Sequence, residues 1–274
     1  MAHPQIAAFA RLAKGGAVPN RLVAGQATKL SRTMHDIRYD AVNDEFLVTN
    51  PFAQAIMVFA GGADGNQPPS RIIQGPSTQM RGSDRLDVDP VHDEIIIPNS
   101  TSILVFPRKA NGDVAPLRVI RGPDTMLRSA TSVVVDPVHN LLIVGLNQGG
   151  RRGSPGALLI FNRTDNGNVK PRGVIRGPKS GITRINQIAV YPEKGWIVAT
   201  QPGEVADMEP EGAFIGVWSV NDNGDVPPRW KINANSKSAM KKPRGVTLDP
   251  KNKEMIVADM RLNSVLTYYF PEIF

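Results

Sequence analysis

The chain has 274 residues, no cysteine, and 32 Lys and Arg against 25 Asp and Glu, a formal charge of +7. The absence of thiols excludes disulfides, thiolate zinc sites, iron–sulfur clusters and cysteine nucleophiles. No run approaches the roughly 18 apolar residues of a membrane-crossing helix, and the scattered basic excess favours anionic contacts.

Residues 6–25, IAAFARLAKGGAVPNRLVAG, read as two short strands around a glycine turn. The same pattern returns as IMVFAGGADGNQPPSRIIQGP (56–76), ILVFPRKANGDVAPLRVIRGP (103–123), LLIFNRTDNGNVKPRGVIRGP (158–178) and IGVWSVNDNGDVPPRWKIN (215–233), then as the fragment VLTYYFPEIF (265–274). Phe9, Phe59, Phe106, Phe161, Trp218 and Tyr268 align, at a period of about 50 residues. From the second copy on, each unit is preceded by a β-branched run ending at Asp40, Asp89, Asp136, Tyr191 or Asp249, and then by a hairpin such as PVHD or PVHN. Asn111-Gly112, Asn166-Gly167 and Asn223-Gly224 mark tight turns between the last two strands of a unit.

Four-stranded antiparallel units at this period predict an all-β fold, a β-propeller, spanning residues 1–274 as one domain. Five strands of each type plus a sixth copy of the third type favour five blades, with six as the alternative. The N- and C-terminal strands are expected to close the ring by pairing, and a surplus strand edge offers a route to oligomers. The segment GVTLDPKNKEMIVADMRLNSVLTYY resembles an NHL-type propeller repeat, in the broad group of the regucalcin/gluconolactonase and lactonase-like propellers. That resemblance lies in the strand framework and implies architecture, not activity.

In a propeller the innermost strands surround a central channel, and the segments crossing into them form its mouth. The residues leading each innermost strand are His35, Asp84, Thr131, Asn186 and Arg244. Just before them every crossing segment carries a base: Arg32, Arg81, Arg128, Arg184 and Lys242. Converging, these would concentrate anions at one opening; the plainer alternative is that each ties down its own loop. Asp36 with Arg38, and Arg85 with Asp87, have the two-residue spacing of one strand face and read as mutual neutralisation within the channel.

These features predict a non-enzymatic binding module whose mouth takes an anionic small molecule or an acidic protein surface on Arg32, Arg81, Arg128, Arg184 and Lys242, with His35, Thr131 and Asn186 beside them. One alternative is a metal-dependent hydrolase, since the resemblance to gluconolactonase-like propellers implies a divalent ion, calcium above all. Asp36, Asp84 and Asn186 are its candidate ligands here, a thin oxygen set. Another is a structural role in assembly, drawing on two insertions of opposite charge, residues 147–157 with paired arginines and residues 201–213 with Glu204, Asp207, Glu209 and Glu211. Nucleic acid is expected to bind non-specifically at most, because basic residues and exposed aromatics do not interleave. The opening residues lack the pattern of a signal peptide. Periplasmic or extracellular placement would therefore need a leader already removed.

Overall fold

A computed structural model describes residues 4–147, 156–203 and 212–274. The two insertions singled out above, with Glu204, Asp207, Glu209 and Glu211, fall largely outside the described residues. A ribbon of β1 (Gln5–Ala8) and β2 (Arg21–Ala24) comes first. Blade one follows as β3 (Asp36–Asp40), β4 (Glu45–Asn50), β5 (Ala55–Ala60) and β6 (Arg71–Gln74). Blade two is β7 (Asp87–Asp89), β8 (Glu94–Pro98), β9 (Ser102–Pro107) and β10 (Arg118–Arg121). Blade three is β11 (Ala130–Asp136), β12 (Leu141–Leu146), β13 (Ala157–Asn162) and β14 (Gly173–Ile175). Blade four is β15 (Ile188–Tyr191), β16 (Trp196–Gln201), β17 (Phe214–Ser219) and β18 (Trp230–Asn233). Blade five is β19 (Pro243–Asp249), β20 (Glu254–Asp259) and β21 (Ser264–Tyr269). Every described ladder is antiparallel between neighbours in the sheet. The molecule is a five-bladed β-propeller, as the repeat predicts.

The repeated residues close the turns that make the blades. Asp89 Oδ1 accepts the N–H groups of Val91 and His92 while Oδ2 meets His92 Nδ1 at 2.7 Å, and Asp136 does the same for Val138 and His139. The Asn-Gly turns reach outward: Asn111, Asn166 and Asn223 accept the N–H groups of Ile72, Val119 and Val174 on the outermost strand of the preceding blade. The glycine following β2, β6, β10 and β14, such as Gly75 (φ 139°), adopts a backbone that side chains avoid. A Cβ there would also lie 2.4 Å from the Asp113 side chain.

Apolar cores lie between blades. Ile96, Ile103 and Val105 of blade two pack against Val133, Val135, Leu142 and Val144 of blade three. The same arrangement joins blades one and two, three and four, and four and five. Ion pairs add staples at the rim. Arg118 and Arg163, from blades two and three, share the buried Glu94, with N–O distances of 2.6 and 2.8 Å. Burial by itself would raise the Glu94 carboxyl, but the hydrogen bonds from these arginines outweigh it and hold the group below its ordinary range.

The expected closure by pairing of N- and C-terminal strands is corrected by the ladders. β1 pairs with β2, and β21 with β20; neither pairs with the other. Both carry the repeat's third-strand sequence, so they cannot fill the same place in one sheet. The ends meet instead through a side chain, with Arg11 Nη1 2.9 Å from both carboxylate oxygens of Glu254.

Candidate functional site

Two charged layers stand on the propeller axis. The inner one is fully paired. Asp36 Oδ1 accepts from Gln187 Nε2 at 2.8 Å, and Oδ2 from the Leu86 N–H at 3.1 Å. Gln187 Oε1 in turn accepts the Val246 N–H at 2.9 Å. Arg38 donates to the carbonyls of Leu86 and Ile188, and its Nε lies 3.4 Å from Asp87 Oδ1. Asp87 Oδ2 accepts the Val135 N–H at 2.8 Å. These four side chains bind all five blades together across the axis. Burial pushes the Asp87 carboxyl up to about 6 even though Arg38 and two backbone N–H groups pull the other way.

The outer layer, at the mouth, is differently built. Arg85 donates to the His35 carbonyl at 3.0 Å and to Asn186 Oδ1 at 2.9 Å. Arg184 and Arg244 sit close enough that each guanidinium is destabilised. Burial is the larger cause for both; then Arg244 and Arg85 act on Arg184, and Arg85 on Arg244. No described carboxylate pairs with Arg184 or Arg244. Among the described residues, buried Nε and Nη1 of Arg184 and Nε of Arg244 have no hydrogen-bond partner. A buried donor left unmade costs about 1–3 kcal/mol, so three gathered cations, two of them with open donors, form a place where an anion would be stabilised.

Local backbone explains the gathering. The ladder between β19 and β20 slips between Pro243 and Gly245, so Arg244 stands at a bulge, a device that re-aims a side chain. The Arg244 carbonyl accepts from Thr200 Oγ1 at 3.0 Å. Gln201 Oε1 accepts the N–H groups of Thr183 and Arg184, at 2.7 and 3.3 Å. The loop is thus fastened through its backbone, without the Arg184 side chain. Asn99 Oδ1 fastens Arg81 in the same way, through its N–H at 2.6 Å.

The five predicted bases are not equivalent. Arg184 belongs to the mouth cluster; Arg32, Arg81 and Arg128 are exposed; Lys242 is buried, its N–H bound to Asp259 Oδ2. His35 is exposed, with Nδ1 2.9 Å from Asp84 Oδ1. Thr131, at the matching bulge of β11, donates to the Ile185 carbonyl at 3.3 Å. Asn186 is buried beneath Arg85. For the candidate metal ligands, both oxygens of Asp36 accept protein N–H groups, Asp84 faces His35, and Asn186 Oδ1 is held by a guanidinium. A cation there would have to displace Arg85. Among the described residues no three His, Asp or Glu side chains cluster as a metal site.

The residues that sequence reasoning underweighted are Arg85 and Arg244. Arg85 was expected to neutralise Asp87, but Arg38 does so, and Arg85 reaches over the mouth instead. Arg244 is already legible as the basic member of the leading column; only the bulge turns it toward Arg184.

Comparison with known proteins supports the architecture alone. No family model matches the chain, and no curated protein matches it. Among solved structures it is similar to Kuenenia stuttgartiensis hydrazine synthase, a propeller-containing structure. The match has a TM-score of 0.58 and 10% identity, over 82% of this chain and 55% of that one. The likeness is one of fold. This chain spans about half the length of that neighbour. No described helix is long and apolar enough to cross a membrane.

Proposed function

We propose that this chain is a non-enzymatic binding module whose channel mouth takes a compact anion, the carboxylate or phosphate of a small molecule or an acidic side chain of a partner. Arg184 and Arg244 supply the open donors, and Arg85, already oriented by Asn186, supplies field. His35 and Thr131 border the opening, with Arg32, Arg81, Arg128 and Lys242 as a wider basic surround. The observation that carries this reading is the trio of neighbouring guanidiniums, two of which, Arg184 and Arg244, have buried N–H groups unmade among the described residues. Elsewhere in the chain, as at Glu94, arginines meet in pairs around a carboxylate; at the mouth the described residues supply none. The inner layer supports a binding role over turnover, because its acid and amide groups are already committed to holding the blades.

Calorimetric titration with inorganic phosphate and with citrate, at fixed ionic strength, tests it. An Arg184→Ala/Arg244→Ala variant should lose at least about tenfold in affinity, roughly 1.4 kcal/mol. An Arg81→Ala/Arg128→Ala variant should change it less than about twofold, as screened surface charges do. Equal affinity in the wild type and the first variant contradicts the reading.

A further inference from the structure

Four junctions between consecutive blades are covered, and one is not. On the face each blade turns to the next, Ile56, Ile103, Leu158 and Ile215 are 0–1% exposed, whereas the equivalent residue of blade five, Val265, is 68% exposed. On the face turned to the preceding blade, Leu86, Val133, Ile188 and Val246 are at most 3% exposed, whereas Ile37 of blade one is 47% exposed. These bare faces open on a cavity of about 1250 Å³ that continues along the inner strands of the other blades: Ile37 and Tyr39 line it on one side and Ile256 and Val265 on the other, with Val135, Ala189 and Arg244 along its inner reach.

Its outer part is already built. The ribbon β1–β2 packs Ile6 and Val23 into one apolar cluster with Met57 and Phe59 of blade one. Val23 bridges to Gly65, as Ile73 does to Gly112 and Ile120 to Gly167, which puts β2 in the place of a preceding blade's fourth strand. By the repeat, β1 is then that blade's third strand. Among the described residues, the edge on which every other third strand meets a second strand is unpaired in β1, which pairs with β2 alone. The ribbon interface therefore runs on, without a break, into bare Ile37 and Tyr39.

We propose that this cleft receives a β-hairpin presented by a partner protein, completing a sixth blade whose outer half is the ribbon. One strand of the hairpin pairs with the free edge of β1, and the other lies beside the axis. Both of its faces are buried, so its strands are short and carry β-branched apolar residues, as the inner hairpin 84–98 of this chain does at Val88, Ile95, Ile96 and Ile97. The proposal goes beyond the anion reading and does not use Arg184; Arg244 lies along the inner reach of the cleft but forms none of its apolar walls.

Because the chain lacks cysteine, single thiols report on the cleft. Ile37→Cys and Val265→Cys variants of the full chain would be labelled with a maleimide dye, alone and with a synthetic peptide of residues 84–98. Both positions are exposed, so neither substitution threatens folding. The expected result is rapid labelling, slowed at least about tenfold and saturably by the peptide but not by its scrambled sequence. Rapid labelling that the peptide leaves unchanged overturns the proposal. So does slow labelling without peptide, in which case sedimentation distinguishes a second copy covering the cleft from closure by the chain itself. Repeating the assay in an Arg184→Ala background separates the two readings, since protection should persist there.

Discussion

The two charged layers on the axis are built from the same kinds of residue and answer the cost of burial in opposite ways. In the inner layer Asp36, Arg38, Asp87 and Gln187 satisfy one another and the backbone of neighbouring blades. In the outer layer Arg85 is held, while Arg184 and Arg244 keep open donors close to other cations. A propeller needs a polar lock where its blades converge, and the inner layer provides it. In the outer layer Arg85 joins blades one, two and four, while the unmade donors of Arg184 and Arg244 beside like charges are what the proposed anion site rests on.

Chemical denaturation should separate the layers most strongly. Asp36→Ala strands the Gln187 amide and the Leu86 N–H and removes an acid beside Arg38. A loss of about 3–5 kcal/mol is expected, the range for breaking buried charged networks. Arg184→Ala should cost nothing or stabilise slightly, since it relieves repulsion and removes unmade donors. Comparable losses in the two variants would erase the distinction.

A smaller effect should appear in the pH dependence. The folded Asp87 pKa of about 6 lies above its ordinary 3.8, so the folded state holds the proton more tightly than the unfolded one. Its contribution is then most favourable below about pH 4, falls as pH rises toward 6, and is flat beyond. The difference amounts to about 3 kcal/mol at most. Stability measured from pH 4 to 7 should show that decline relative to an Asp87→Asn variant, in which it is absent. Parallel curves would mean that Arg38 compensates Asp87 fully.

Much of the fold was written in the repeat. The Asp that ends four of the five first strands and the Asn-Gly of the outer hairpins in blades two, three and four act locally, through hydrogen bonds two or three residues away or to the adjoining strand, so their spacing predicts the blades directly. Closure was less legible, because the third-strand pattern shared by β1 and β21 says what each strand is but not which sheet it joins. The mouth was half legible. His35, Asn186, Arg184 and Arg244 could be placed near one opening from alignment of the units alone. Which arginine meets which acid depends on side chains reaching between blades, as Arg38 does to Asp87 and Arg85 to Asn186, and two-residue spacing along one strand carries no information about that. The bulge at Arg244 is likewise a property of the pair β19–β20.

The most direct measurement is an anomalous difference map from crystals soaked in selenate at moderate concentration. A peak within hydrogen-bond distance of the Arg184 and Arg244 guanidiniums, absent when both are alanine, is the predicted result. A mouth without selenate, with peaks confined to exposed arginines such as Arg81 and Arg128, would contradict it.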